Sequence, residues 1–208
     1  MNTSINPWDN DYQQRGRLWG GSANPLPRLP CGSRILELGC GDGKTTASLA
    51  ETDCSVTAID FSPHAVSLCR QTCTDPDQVR VLIADIRKTP FRNESFDIII
   101  AFHITGHLSH FGRRDLSSEV LRLLAPGGTI YFRDFSIGDF RYGCGKETET
   151  GTYTRKNGIA THYFTDREVF ALFTGLVVQS LVQHRWEMRV RGMVFPRAEI
   201  VAEFKKPL

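Results

Sequence analysis

What this chain lacks narrows its class before any motif is read. No apolar run approaches the roughly 20 residues that a membrane-spanning helix needs, and Met1 to Asn10 has neither the basic start nor the apolar middle of a secretory signal. A cytoplasmic protein without membrane contact is expected. Cysteine is sparse, with six residues (Cys31, Cys40, Cys54, Cys69, Cys73 and Cys144) scattered singly along 208, far from the density of a disulfide-stapled domain. They read as free thiols. Cys69 and Cys73 stand a helical turn apart, but two thiols without two further ligands make a poor zinc site, so no metal is expected. Charge of one sign is also scarce: the net charge is +2, a weak grip on a polyanion. Its distribution is uneven, with 10 basic and 12 acidic residues up to Ile104 (a difference of −2) and 15 against 11 from Thr105 onward (+4). Arg185, Arg189, Arg191 and Arg197 read either as a basic face or as the solvated edge of a hairpin. Repeats and low-complexity tracts are absent, and 208 residues with 40% hydrophobic content suffice for one core. A single domain over 1–208 is expected.

What is present concentrates at Ile35-Leu36-Glu37-Leu38-Gly39-Cys40-Gly41-Asp42-Gly43. An apolar β run ends in an acid and then in three alternate glycines, which let the backbone turn tightly and let a ligand approach where a Cβ would clash. Lys44 to Ala50 then reads as a helix. A dinucleotide fingerprint needs its third glycine one position later, where Lys44 stands, and an acid just before the first glycine gives a pyrophosphate nothing. The pattern points instead to a cationic nucleoside. S-adenosylmethionine fits, its methionyl ammonium and sulfonium facing Glu37 while Gly39, Cys40, Gly41 and Gly43 make room for the rest. The alternative is an ordinary tight βα turn.

Strand-like runs at Arg34 to Leu38, Ser55 to Asp60, Val79 to Ala84, Phe96 to Phe102 and Thr129 to Asp134 alternate with helix-like stretches, a doubly wound α/β pattern. Asp53 or Ser62-Pro63 can open helices, and Pro126-Gly127-Gly128 ends a helix over Asp115 to Leu124. After Asp134 a polar segment, Ser136 to Ala160, precedes a helix at Asp166 to Thr174. Two last strands, Val177 to Val190 and Arg197 to Phe204, have too short a link for a crossover and must pair antiparallel. Three strand ends carry candidate ligand residues. Asp60, with Phe61 after it, stands about 20 residues past the first glycine, where a carboxylate can accept ribose hydroxyls. Asp85 and Ile86 suit the amine and face of adenine, and Ala101, Phe102 and His103 lie beside the switch point, toward the methyl donor. Taken singly, each carboxylate reads equally as a helix cap or a surface charge.

Together these residues resemble class I S-adenosylmethionine-dependent methyltransferases, with a Rossmann-like seven-stranded, mostly parallel sheet and an antiparallel C-terminal hairpin. Within them the chain is similar to the group that includes tRNA 3-methylcytidine enzymes. Four segments carry that likeness: Trp8-Asp9-Asn10-Asp11-Tyr12; Phe132-Arg133-Asp134-Phe135; Tyr153 to Gly158 leading to Tyr163-Phe164-Thr165; and Phe195-Pro196-Arg197 running to Phe204-Lys205-Lys206-Pro207. The resemblance implies that Trp8 and Tyr12, in an N-terminal segment 1–30, cover the cofactor. It also implies that Arg133, Asp134, Tyr153 and Arg155 belong to the acceptor side and that S-adenosyl-L-homocysteine is the product.

A sulfonium is already an activated methyl donor, so alignment of the acceptor outranks acid-base work. Cytosine N3 of a tRNA would need no base, and Phe102, Tyr153 or Phe164 could hold it unstacked. An oxygen or sulfur acceptor on a small molecule would need one, with His103 and His107 the first candidates. His103, His107 and His110 together suggest no metal, since the nearby sequence offers no carboxylate or thiolate partner. The readings carried forward are a tRNA base methyltransferase, a small-molecule N-, O- or S-methyltransferase, and a noncatalytic cofactor-binding partner subunit.

Overall fold

Strands that are apolar on both sides demand helices on both faces, and this chain supplies them. The computed structural model describes residues 6–17, 25–73, 75 and 77–208. Its strands are β1 (Arg34–Leu38), β2 (Ser55–Asp60), β3 (Val79–Ile83), β4 (Phe96–Phe102), β5 (Leu124–Phe135), β6 (Lys146–Glu149), β7 (Thr152–Thr154), β8 (Ala160–His162), β9 (Val177–Val190) and β10 (Met193–Lys205). The helices are α1 (Pro7–Arg15), α2 (Lys44–Leu49), α3 (Pro63–Thr72), α4 (His110–Leu123) and α5 (Asp166–Leu172). Seven strands form one sheet in the order β3-β2-β1-β4-β5-β10-β9, in which β10 alone runs against its neighbours. This is the expected α/β sheet with its antiparallel C-terminal hairpin.

Period-two alternation divides the core into two layers. Leu36, Leu38, Ile99, Phe132 and Phe204 pack with Leu116 and Val120 of α4 and Val169 of α5. Ile35, Val56, Ile98 and Ile100 pack with Leu49 of α2 and Val66 and Cys69 of α3. Local chemistry sets the helix starts. Ser62 accepts the Ala65 N–H with Pro63 in the first turn, and Thr165 and Glu168 form a reciprocal capping box on α5. The strand order reverses at β1, whose neighbours are β2 and β4, so the loops after β1 and β4 diverge and leave a crevice at their carboxyl ends.

Several boundaries differ from the sequence reading. Asp53 opens no helix; its carbonyl accepts the Gly32 N–H in the turn before β2. Helix α4 begins at His110 rather than Asp115 because Ser109 caps it through the Gly112 N–H. Strand β5 begins at Leu124, five residues before Thr129, with its register broken opposite Phe96 to Ile98. Strand β10 begins at Met193 rather than Arg197, since Arg191 and Gly192 both take positive φ (48° and 79°) and close a two-residue hairpin turn. The polar segment after β5 folds into a small antiparallel sheet, β6-β7-β8, whose three- and four-residue strands have no apolar run to announce them. No helix among the described residues is long and apolar enough to cross a membrane.

Candidate active site

The crevice has two halves. In the first, the β1–α2 turn takes positive φ at Gly39 and Gly41 (73° and 54°). A Cβ at Gly39 would stand 2.5 Å from the Ile104 side chain, and one at Gly41 would stand 2.5 Å from the Tyr12 hydroxyl. Asp60, at the end of β2, accepts the Gly41 N–H at 3.0 Å and the Ser62 N–H at 2.9 Å. Burial pushes its carboxyl up while those N–H groups pull it back. Glu37 is 4% exposed. Burial pushes it up to about 8, against the pull of the Thr46 hydroxyl, and Asp60 adds to the rise. That hydroxyl donates to Glu37 at 2.6 Å. Two buried carboxyls that repel each other beside a glycine turn suit a ligand that brings positive charge and presents hydroxyls. The residues present therefore fit S-adenosylmethionine.

Helix α1 lies across this half. The sequence shows no apolar stripe here; the helix stands on its ends, with Asn6 accepting the Trp8 N–H, Pro7 in the first turn and Gly16 (φ 64°) ending it. Asp9 fastens it, accepting the Ser62 hydroxyl at 2.5 Å and meeting His64 Nδ1 at 3.0 Å. Tyr12 is buried above Gly41, and the Trp8 ring meets His107 edge-on at 4.6 Å. Of the segment 1–30, residues 1–5 and 18–24 lie outside the described residues.

The second half is cationic and aromatic, built at the ends of β4, β5 and β10. His103, in the left-handed region at φ 54°, stacks on Phe135 at 4.5 Å and points Nε2 at Glu199, 3.4 Å away. The Arg141 guanidinium covers Phe135 at 3.9 Å, and Arg197 lies 5.1 Å from the same ring. Asp139, with a fully buried carboxylate, holds both arginines at 2.7 Å. Although burial pushes Asp139 up, these bonds hold it below the ordinary range. Asp134 is 1% exposed and accepts the Gly106 N–H at 2.7 Å; burial pushes it up to about 7. Tyr153 joins Tyr142 and Tyr163 in an aromatic group (5.3 and 6.2 Å), and Arg155 reaches the Tyr163 hydroxyl.

Several expected residues stand in other surroundings. Burial, then Arg133, lowers His103 to about 3, and burial lowers His107 to about 4. His107 Nδ1 is tied to the Ala160 carbonyl at 2.7 Å, so neither ring is the near-neutral base expected from an ordinary imidazole. Phe164 is enclosed in the core with Phe132, and Phe102 packs into the opposite layer under the Arg133 guanidinium, so neither is an open platform. Ala101 and Ile86 are core residues, Phe61 is exposed, and Asp85 is held by Arg87 at 2.6 Å. The sequence reading missed Asp139, Arg141 and Glu199, which lie in a loop and a hairpin with no motif of their own; only Phe135 and Arg197 sat inside quoted segments.

Residues 35–128 match a methyltransferase domain family. The tRNA N(3)-methylcytidine methyltransferase Mettl2 of Drosophila melanogaster is 30% identical over 190 residues, 84% of this chain. The chain carries a methyltransferase domain of the S-adenosylmethionine-dependent class. This methyltransferase spans 58% of the length of Mettl2. It is also 25% identical to O-methyltransferase 3 of Dictyostelium discoideum, over 84% of this chain and 44% of that one. Its fold matches the crystal structure of an S-adenosylmethionine-dependent methyltransferase from Methanosarcina mazei, with a TM-score of 0.73, 23% identity, and 86% and 95% of the two chains covered.

Proposed function

We propose that this methyltransferase transfers the methyl group of S-adenosylmethionine to N3 of a cytosine in tRNA. The observation that carries the reading is the character of the second half: stacked rings and arginines, with histidines held neutral and weakly basic. Such a site suits an acceptor that already carries its lone pair. Relatives bearing that activity by name support it. The cofactor supplies an activated methyl group on a sulfonium. In this reading Asp60 accepts the ribose hydroxyls, the Gly39 to Gly43 turn passes close beneath the nucleoside, and Glu37 faces the methionyl ammonium. Trp8 and Tyr12 close over the cofactor and exclude water. Phe135 and His103 offer the face on which the base rests, Arg155 and Tyr153 bind beside it, and the carboxyls of Asp134 and Glu199 face the positive charge that methylated cytosine acquires.

The test is methyl transfer from labelled S-adenosylmethionine into bulk unmodified tRNA and, separately, into an RNA-free metabolite extract, with mass spectrometry of the product. Label in 3-methylcytidine is the expected result. Label only in the small-molecule fraction supports the second reading, which the likeness to O-methyltransferase 3 favours. Label in neither indicates a noncatalytic partner role.

Two predictions follow from these assignments. Arg155→Ala is expected to leave the cofactor Kd within about twofold while lowering kcat/KM roughly tenfold, the equivalent of about 1.4 kcal/mol of transition-state contact. Unchanged turnover removes Arg155 from the acceptor side. The second concerns pH. A carboxyl raised to about 8 favours its neutral form. Its contribution to the stability of the ligand-free protein is therefore fully present below the unfolded value near 4.5 and is lost as pH rises through 8. A cationic ligand needs the ionised form, so affinity for S-adenosylmethionine should climb between pH 6 and 8, with proton release on binding. Glu37→Gln should flatten that climb. Calorimetry in buffers of different ionisation enthalpy reads both, and a pH-independent affinity in the parent protein removes Glu37 from the cofactor contacts.

A further inference from the structure

We propose that the free end of the β9–β10 hairpin is a stacking subsite for a nucleotide flanking the acceptor base, a single-stranded RNA platform continuous with the site. This rests on the tRNA reading. Strand β5 pairs with β10 only from Glu199 to Lys205. The rest, from Arg185 to Ala198, continues past β5 as a two-stranded ribbon closed by the Arg191-Gly192 turn, its base held where the Ser136 and Phe140 N–H groups donate to the Ala198 and Pro196 carbonyls. Alternation puts His184, Trp186 and Met188 on one face of the ribbon, with Phe195 and Arg197 opposite Met188 and Trp186 across the strands.

That face is a ladder of planar groups. His184 stacks on Trp186 with ring centres 5.0 Å apart and planes 21° from parallel. The Arg197 guanidinium stands 5.2 Å from the Trp186 ring and 5.1 Å from Phe135, the ring on which His103 stacks. Planar surfaces therefore run without a break from the acceptor site to the projecting ribbon. The groove beside Trp186, bounded by Gly138, Arg185, Glu187, Pro196 and Arg197, has a volume of about 340 Å³. Charge selects the occupant. From His184 to Ala198 there are four arginines against a single glutamate, in a protein whose net charge is only +2. Arg185, Arg189 and Arg191 are exposed, Arg185 and Arg189 on the face of the ribbon opposite the ladder and Arg191 at its turn, while Asp139 fixes Arg197 on the ladder side. A merely solvated hairpin has no use for a half-buried tryptophan stacked with an imidazole along its strand and set beside a guanidinium across it. Rings on one face of a narrow ribbon, with long cationic side chains on its other face and at its turn that can reach phosphates around the edge, suit an unpaired nucleotide.

The test uses the full chain and a fluorescein-labelled, mixed-sequence RNA dodecamer, with anisotropy read over a series of salt concentrations. Trp186→Ala is expected to weaken binding about tenfold, and Trp186→Phe to restore most of it. Charge reversal at Arg185 and Arg189 should weaken binding further and lower the slope of log Kd against log salt by about 1.4. Cofactor affinity and Tm should stay at parent values in all three. Binding lost only on charge reversal, with Trp186→Ala at the parent value, overturns the stacking subsite, as does a parent protein that does not bind the dodecamer. Methyl transfer into tRNA cytosine separates the two failures. If the parent methylates tRNA while the Trp186 variants bind and methylate as it does, the subsite falls and the acceptor reading stands. If the parent neither binds nor methylates RNA, both fall.

Discussion

Asp60→Ala is expected to raise the Kd for S-adenosylmethionine at least about 100-fold. Hydrogen bonds to a charged group contribute about 1.5–3 kcal/mol each, and two ribose hydroxyls would lose their acceptor together. The alanine also strips the acceptor from the Gly41 and Ser62 N–H groups, so the turn itself would loosen. Asp60→Asn keeps an acceptor for one of these two N–H groups but sets its NH2 against the other, so its melting temperature should also fall, while affinity falls as it does for alanine. Calorimetry showing near-parent affinity in both variants would refute the ribose assignment.

The second large effect is expected at Asp139. Its carboxylate is fully buried between Arg141 and Arg197, whose side chains are only 20% and 13% exposed. Asp139→Ala leaves two guanidiniums side by side without their counter-charge, and removal of one partner from a buried pair costs about 3–5 kcal/mol. A fall in Tm with loss of methyl transfer is the expected outcome. The pH dependence gives an independent check. A carboxyl held below its ordinary range contributes stability above its unfolded value near 3.8 and loses it as pH falls through the folded value. Asp139→Asn should therefore be less stable than the parent at pH 7 and show a shallower acid limb in thermal melts. Equal acid limbs would show that the carboxylate is not carrying the two arginines.

How much of this was legible depended on whether a feature was written in consecutive residues. Strands β1, β2 and β4 fall at the boundaries read from apolar runs, because a buried strand has a continuous signature. The Ser62-Pro63 cap and the glycine turn are equally local. Helix α1 left no such trace: with Tyr12 as its one buried residue, it is held by end chemistry and by a carboxylate 53 residues from its partner Ser62. The sequence offers His103 and His107 as candidate bases for an oxygen or sulfur acceptor from residue type alone; the burial that lowers their proton affinity is a tertiary property. Asp139, Arg141 and Arg197 converge from a loop and a hairpin separated by 58 residues at the longest ion pair, and nothing periodic connects them. Phe164 reads as one of three candidate platforms from its aromatic type, whereas its packing with Phe132 and Val169 places it in the core.

Helix α1 touches both halves of the crevice: Asp9 on Ser62 and Tyr12 above Gly41 on one side, Trp8 against His107 on the other, with Pro7 beside Gly158. Nine residues thus lie as a hasp across the two leaves of the crevice. On the proposed assignments, spent S-adenosyl-L-homocysteine cannot leave while the hasp is down. Each turnover then includes an opening in which the Asp9–Ser62 bond breaks, and the rate of that opening sets a ceiling on product exchange. Asp9→Asn, which weakens the clasp without touching either leaf, is the substitution through which exchange rate and water exclusion would be traded against each other.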